Sequence, residues 1–422
     1  MNIDRFDNSL RPLEGGGAAS PKGFTAAGIH VGIASQAHPG GLAAHGAAAH
    51  DTSQPDLAIL LAAEPVETVA LFTKSTLPAA PIQINKVHLP QGSGRVRALV
   101  MNAGSANAAT GEAGVQVAHD TCEITAQILG CETEQVLVAS TGSLGVPLAL
   151  DPIETRLPDV IDAASSDGGS AAARVLSRGL RPLECAISYP SGVLAWAEYT
   201  FTVGGMCARP GTGIADDTSL ITCITLDAPV SHQALNTLAA TCASPLFHHI
   251  ALVSAPSTNG MIVMMASGAA APEGPLIEVG TEEFEELAYV VQQVCGTLVR
   301  LTLTEETDSH IARIRIVGAA SLEDAELAGR AVVSSTAVRA ALSKRCSPLA
   351  GTISALGASG LDLVADRIGI DLLGVEICRD GMGVAVDEED LARRFETPEI
   401  ELTVDLGLGE ASTTLWAQIR LS

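Results

Sequence analysis

Apolar and polar positions along this chain fall into short runs, and the period of the runs changes from place to place. From Gly23 onward, FTAAGIHVGIA, DLAILLAA, TVALFT and RALVMNAG are brief apolar stretches separated by turn residues. Runs of that length bounded by turns predict strands, several of them buried on both faces. Between Gly111 and Leu129 the period switches. Val115, Val117, Ile124, Ala126 and Ile128 recur among polar positions at helical spacing and predict a helix. QVLVAS (135–140) predicts another buried strand, ending in the turn STGSLG. SSDGGS (165–170) interrupts the next helical region, and AWAEYTFTVGG (195–205) alternates as a half-exposed strand. HIALVSAP and GMIVMMASGAAA predict two further strands, and FEELAYVVQQVCGTLV (284–299) an amphipathic helix. The remainder repeats strand, helix and strand through IARIRIVG, EDAELAGRAVVSSTAVRAALS and a last strand, TTLWAQIRLS.

This succession predicts an α/β chain. Gly and Pro break all periodicity in GAAAPEGPLIEVG (268–280), which marks the expected boundary between two domains. The division expected is a loose arm over residues 1–20, a first domain over 21–280 and a smaller one over 281–422. Hydrophobic residues make up 47% of the chain and aromatics only 3%, so the cores are built from Ala, Val, Leu and Ile. A formal charge of −24 argues against nucleic acid and anionic lipid as partners. No apolar run is long enough to span a bilayer, and MNIDRFDNSLRPLEGGG lacks the apolar core of a secretory signal. Nine scattered cysteines without a C-x-x-C pair point to reduced thiols in a cytoplasmic protein.

Candidate chemistry is local. His38, His45 and His50 lie in a Gly/Ala-rich insertion whose spacing fits no compact metal-ligand pattern, so no metal is expected. GTG (211–213) and GLG (407–409) lack a full glycine-rich phosphate motif, so no nucleotide cofactor is expected either. STGSLG (140–145) is either an ordinary glycine turn or a place where Thr141 and Gly142 direct donors at a developing oxyanion. GMCARPGTGIADDTSLITCITLDA (205–228) raises a parallel choice at Ser219, which is either the first residue of a buried strand or a nucleophile. A hydroxyl needs a base beside it. Cutting the chain just before that residue supplies one, because the freed α-amine can take the proton.

Taken together, these segments resemble the ornithine acetyltransferase family of arginine biosynthesis, the bifunctional glutamate N-acetyltransferases. The resemblance runs from about Ala18 to Ala417 and rests on PKGFTAAGIHVGI, ALFTKSTLPAAPIQI, VRALVMNAGSANAATGEAG, VLVASTGSLGVPL, the 205–228 segment, IRIVGAAS and VDLGLGEASTTLW. It implies an αββα-type sandwich of the self-cleaving N-terminal-nucleophile kind, followed by a smaller C-terminal α/β domain. It also implies cleavage between Thr218 and Ser219, Ser219 as nucleophile, and Thr141 and Gly142 as oxyanion donors. The implied reaction moves acetyl from N-acetylornithine to glutamate without metal or nucleotide. The implied assembly is a homo-oligomer of self-cleaved pairs.

Several positions depart from the family pattern. Ser219 stands where the family has Thr, DDT (216–218) precedes it, and Ala208 occupies the place of a substrate-binding lysine. Arg209, next to it, and Glu306 are the substrate-binding candidates that remain. PLAG (348–351) replaces an Asn-Trp-Gly-Arg segment, and the family's terminal tail has no counterpart up to Ser422. Three functions follow as expectations. The chain is an acetyltransferase acting on a small N-acyl amino acid, or the scaffold works on another acyl or amide substrate in specialised metabolism. In the third reading it is an uncleaved, inactive paralogue in a hetero-oligomer with an active relative.

Overall fold

The computed structural model describes residues 9–33, 54–177, 181–208, 221–245, 257–303 and 309–420. These residues fall into two compact units, one within Met1–Phe247 and Pro256–Leu298, the other within His248–Ala255 and Val299–Ser422.

In the first unit a long antiparallel strand organises the sheet. Strands β1 (Arg11–Pro12), β2 (Phe24–Ile29), β3 (Leu57–Phe72), β4 (Ser93–Asn102), β5 (Val136–Ser140), β6 (Glu184–Pro190), β7 (Thr200–Cys207), β8 (Ile221–Leu226) and β9 (Met261–Ala266) join through β3. The expectation of two strands over DLAILLAA and TVALFT is corrected here, since β3 runs unbroken through both. Pro65 is tolerated because the ladder with β4 is interrupted between Leu61 and Val66, where no N–H is needed. The first half of β3 pairs with β2 and its last six residues with β9.

Alternate faces of these strands build three apolar layers. Leu57, Ile59, Ala98, Val100, Val136 and Val138 pack against Ala118, Cys122 and Ala126 of the helix Gly111–Leu129 and Ile153 and Leu157 of the helix Asp151–Asp162. Residues of the opposite face, Leu60, Leu99, Met101 and Leu137, meet Met206, Cys223, Val263 and Met265 of β7 to β9. The far side of β7 is covered by the helix Glu282–Leu303, and a Cβ at Gly205 would lie 2.9 Å from the Leu298 side chain. A helical layer, the two facing halves of this one nine-stranded sheet and a second helical layer thus stack in the αββα order. Burial on both faces explains why β5, β8 and β9 read as continuous apolar runs without alternation.

The second unit has its own six-stranded sheet. β10 (Ser309–Ala319), β11 (Gly369–Leu372), β12 (Val375–Arg379), β13 (Met382–Gly383), β14 (Glu399–Asp405) and β15 (Ala411–Arg420) lie in the order β13-β12-β11-β14-β10-β15. Helical residues Ala325, Ala328, Val332, Val338 and Leu342 complete its core. The single helical run expected over EDAELAGRAVVSSTAVRAALS is two helices, Leu322–Ser334 and Thr336–Ser343. Ser335 is extended and its hydroxyl caps the second helix by accepting from the Val338 N–H at 3.3 Å, which outweighs continued helical spacing. The expected strand HIALVSAP (249–256) lies outside the described residues. No described helix is long and apolar enough to cross a membrane.

One buried carboxyl gives the first unit a pH dependence. Asp227, just past β8, is 1% exposed and accepts from the Thr202 N–H at 2.7 Å and the Lys22 N–H at 3.0 Å. Desolvation outweighs these bonds and pushes its pKa up to about 6. A carboxyl raised above its unfolded value favours the protonated folded state. Its contribution is therefore complete below about pH 4 and lost as pH rises through about 6, amounting to about 3 kcal/mol. Glu184 and Glu286, also raised by burial, act in the same sense. Urea midpoints measured from pH 4 to 7 are expected to show this fall, and Asp227→Asn to flatten it. An unchanged slope in the variant would remove Asp227 as the cause.

Candidate active site

Two parallel strands end side by side and launch the loops that form the site. Asn102 closes β4 opposite Ser140 of β5. The Asn102 side chain accepts from the Ser140 hydroxyl at 2.6 Å and donates to the Ser105 carbonyl at 2.9 Å, so one amide fixes both loop exits. The Thr141 N–H extends the ladder by donating to the Asn102 carbonyl at 2.9 Å. The Thr141 side chain is fully buried, and its Oγ1 has no hydrogen-bond partner among the described residues. Stranding a hydroxyl costs about 1–3 kcal/mol, so an orphan on a rigid turn needs a reason.

Gly142 follows with φ 139°, a conformation that favours glycine. A Cβ there would sit 2.6 Å from the Ser105 nitrogen and closer still to the Gly104 carbonyl, so the two loops touch through bare backbone. The Gly142 N–H donates to none of the described groups. Beyond it the loops are laced together. Ser143 N–H donates to Gly104 O, Ala106 N–H to Ser143 O and Gly145 N–H to Ala108 O, at 3.1, 3.1 and 2.8 Å. The Ser105 hydroxyl adds a bond to the Val146 carbonyl at 2.7 Å. Asn107, in the left-handed region at φ 44°, donates to Gly114 O and accepts from the Thr110 hydroxyl.

A third segment braces the pair. Asn259, fully buried just before β9, donates to the Ala106 carbonyl at 2.8 Å, and the Ala79 N–H donates to the Thr258 carbonyl at 3.0 Å. On the open edge of β5, the Asn85 amide pairs with both the N–H and C=O of Val138, at 3.0 and 2.7 Å. Its nitrogen lies 3.4 Å from Met261 Sδ at the start of β9. β9 runs parallel to β8 with Met261 beside Ile221, the second residue after Ser219 in the chain. The braced turn and the start of β8 are therefore tied through Asn85 and Met261.

Thr141 and Gly142 fall at this turn, held as two neighbouring polar donors in an otherwise packed region. Arg209, Thr218, Ser219, Glu306 and the histidines His38, His45 and His50 lie outside the described residues. Ala208 is fully buried, donates its N–H to the Ile221 carbonyl at 2.6 Å and shares the apolar layer with Met206, Ile221 and Cys223. Cys223 offers no rival nucleophile on β8, because burial pushes its thiol up to about 12. Among the described residues, donors close enough to share a metal ion are His119, Asp120 and Glu123, on a solvent-facing part of the helix Gly111–Leu129. Sequence reasoning missed the roles of Asn85, Asn102, Asn107 and Asn259. The available signal was the run of small and amide residues in NAGSANAAT directly after a buried strand.

The sequence profile of the ArgJ family matches residues 42–418. The chain belongs to the ArgJ family. It is therefore an enzyme, and its mixed α/β architecture is that family's. It is similar to the arginine biosynthesis bifunctional protein ArgJ of Symbiobacterium thermophilum, with 29% identity over 403 residues covering 95% of this chain and 94% of that protein. The protein of the same name from Bacillus cereus is 26% identical over 410 residues, covering 97% and 95%. Among solved structures, the ornithine acetyltransferase of Mycobacterium tuberculosis complexed with ornithine is 28% identical. That match has a TM-score of 0.38 and covers 49% of this chain and 98% of the solved one.

Proposed function

We propose that this ArgJ-family chain is an acyltransferase that moves an acetyl group from N-acetylornithine, or a related N-acyl amino acid, to glutamate through an acyl-Ser219 intermediate. The observation that carries the reading is the buried, unpartnered Thr141 hydroxyl beside the unused Gly142 N–H. Two preorganised donors on a rigid turn, without an acceptor of their own, suit an oxyanion that exists only during reaction. The Ser219 oxygen attacks the acetyl carbonyl carbon, and its proton passes to the α-amine freed by cleavage after Thr218. Thr141 and Gly142 donate to the resulting oxyanion. Collapse breaks the amide bond, and the departing ornithine nitrogen takes the proton from the α-ammonium. The glutamate amine then attacks the Ser219 ester by the same steps in reverse, restoring the hydroxyl. Arg209 and Glu306 are assigned to substrate charges, and the working assembly to self-cleaved pairs.

The buried, apolar surroundings of Ala208 favour a second reading of the substrate. Ala208 itself offers no cation where the family has a lysine, and a buried carboxylate left unpaired there is strongly unfavourable. The same nucleophile and turn would then serve another acyl or amide compound.

Ornithine release from N-acetylornithine separates these readings. Release only when glutamate is present is expected for the transferase. Release in water alone would identify a hydrolase, and release only with a different amine would identify another acceptor. No release with any donor, from a chain that stays uncleaved, would overturn the enzyme mechanism in favour of a partner-subunit role.

A further inference from the structure

β5 ends its sheet and has a strand neighbour, β4, on one side only. A strand in that place presents unpaired backbone groups, and these need partners where they are buried. The helix Ala80–His88 supplies them with side chains in place of a strand. Asn85 and His88 lie three residues apart on one face of this helix, and both are buried. The His88 Nδ1–H donates to the Val136 carbonyl at 2.8 Å, since a carbonyl can only accept. Two residues further along β5, Asn85 Oδ1 accepts from the Val138 N–H and the Asn85 amide nitrogen donates to the Val138 carbonyl.

The Asn85 amide has little freedom. One of its two N–H groups goes to the Val138 carbonyl, which leaves the other for Met261 Sδ. Turning the amide over would set oxygen against the carbonyl and the sulfur, and donors against the Val138 N–H. The helix is fixed at its start by the same loops that surround the turn. The Ala79 N–H donates to the Thr258 carbonyl and the Ala80 N–H to the Asn107 carbonyl, at 3.0 and 3.1 Å. Pro81 falls in the first turn, where no backbone donor is needed. Val138 stands three residues before Thr141, whose N–H continues the ladder to β4. A shift of β5 relative to β4 would therefore carry Thr141 and Gly142 with it.

We propose that Asn85 is a positioning residue for acyl transfer. By holding Val138 it sets where the Thr141 hydroxyl and the Gly142 N–H stand, and through Met261 it keeps them aligned with the start of β8. Asn85 acts only through these groups, and the role rests on the acyl-transfer reading of the turn.

The test compares ornithine release by the wild type, Asn85→Leu, Thr141→Val and the double variant. Leucine keeps nearly the same volume and removes both bonds to Val138. Asn85→Leu is expected to lower kcat by about 10²-fold with little change in KM, the scale of a small misplacement of catalytic groups. In the double variant the combined fall should stop well short of the product of the two single falls, because both changes act on one pair of donors. A purely structural residue would lower thermal stability and leave kcat per folded molecule unchanged. Full multiplication of the two falls, or an unchanged kcat in folded Asn85→Leu, overturns the proposal. If Asn85→Leu does not fold by circular dichroism, Asn85→Asp decides alone. Aspartate keeps the acceptor for the Val138 N–H and, when ionised, has no donor for the carbonyl. Its kcat relative to wild type is then expected to recover as the pH is lowered and the carboxyl gains a proton. A pH profile identical to that of the wild type would overturn the proposal in that case. A wild-type chain inert with every donor removes the acyl-transfer reading and this role with it. An active wild type with an equally active variant removes this role alone.

Discussion

Replacing Ser219 by alanine is expected to abolish both chain cleavage and turnover. Under denaturing mass spectrometry the wild-type chain is expected as two fragments, residues 1–218 and 219–422, and the alanine variant as one species near 43.1 kDa. The reason is that one hydroxyl is assigned both reactions, attacking first its own preceding carbonyl and then the substrate's acyl carbon. Removing a nucleophile of this kind lowers turnover by roughly 10⁵–10⁶-fold. Ser219→Thr, which restores the family residue, is expected to keep both activities, because the hydroxyl remains and the added methyl only stiffens χ1. Cleavage and turnover surviving in the alanine variant would rule out Ser219 and direct attention to Thr218. An intact wild-type chain would leave Ser219 without its α-amine, and the partner-subunit reading would take precedence.

Thr141→Val is expected to separate catalysis from stability. Valine fills nearly the same volume and removes a hydroxyl that is buried without a partner. Folding should be unchanged or improved by about 1 kcal/mol, since an unmet desolvation cost disappears. Turnover should fall by about 10²–10³-fold with little change in KM, as expected for a bond made only while the oxyanion exists. The rate at which the 219–422 fragment appears should fall as well, because the self-cleaving carbonyl would use the same donors. A loss of thermal stability would mean that the hydroxyl has a structural partner after all. Unchanged kcat and unchanged cleavage would remove Thr141 from the site and leave Gly142 as the remaining donor.

The helix Gly111–Leu129 was legible from its period, but its packed face is Gly114, Ala118, Thr121, Cys122, Thr125 and Ala126; of the expected stripe only Ala126 is fully buried, and Ile128 is exposed. The strands β5 and β9 were legible because burial on both faces leaves no polar alternation. The turn STGSLG was legible as a turn. Its two readings were not separable, because a glycine turn and an oxyanion turn have the same local composition. What favours the second reading is the Thr141 hydroxyl, unpartnered among the described residues, and that depends on which distant groups come within hydrogen-bond reach. Pro65 inside β3 illustrates the same limit. Proline usually argues against a strand interior, and only the gap in the ladder to β4 shows why it is tolerated.

Residue order thus specified the family, the α/β class and the position of most elements, since period and turn chemistry act between residues a few places apart. Tertiary structure decided which loops meet and which polar groups are left unpaired. Ser140 and Asn102 are 38 residues apart, and Asn259 reaches Ala106 across 153 residues. Asn85 likewise meets Val138 across 53 residues. Hydrogen-bond satisfaction is a property of the folded neighbourhood, and every buried donor or acceptor is counted only when distant segments have come together.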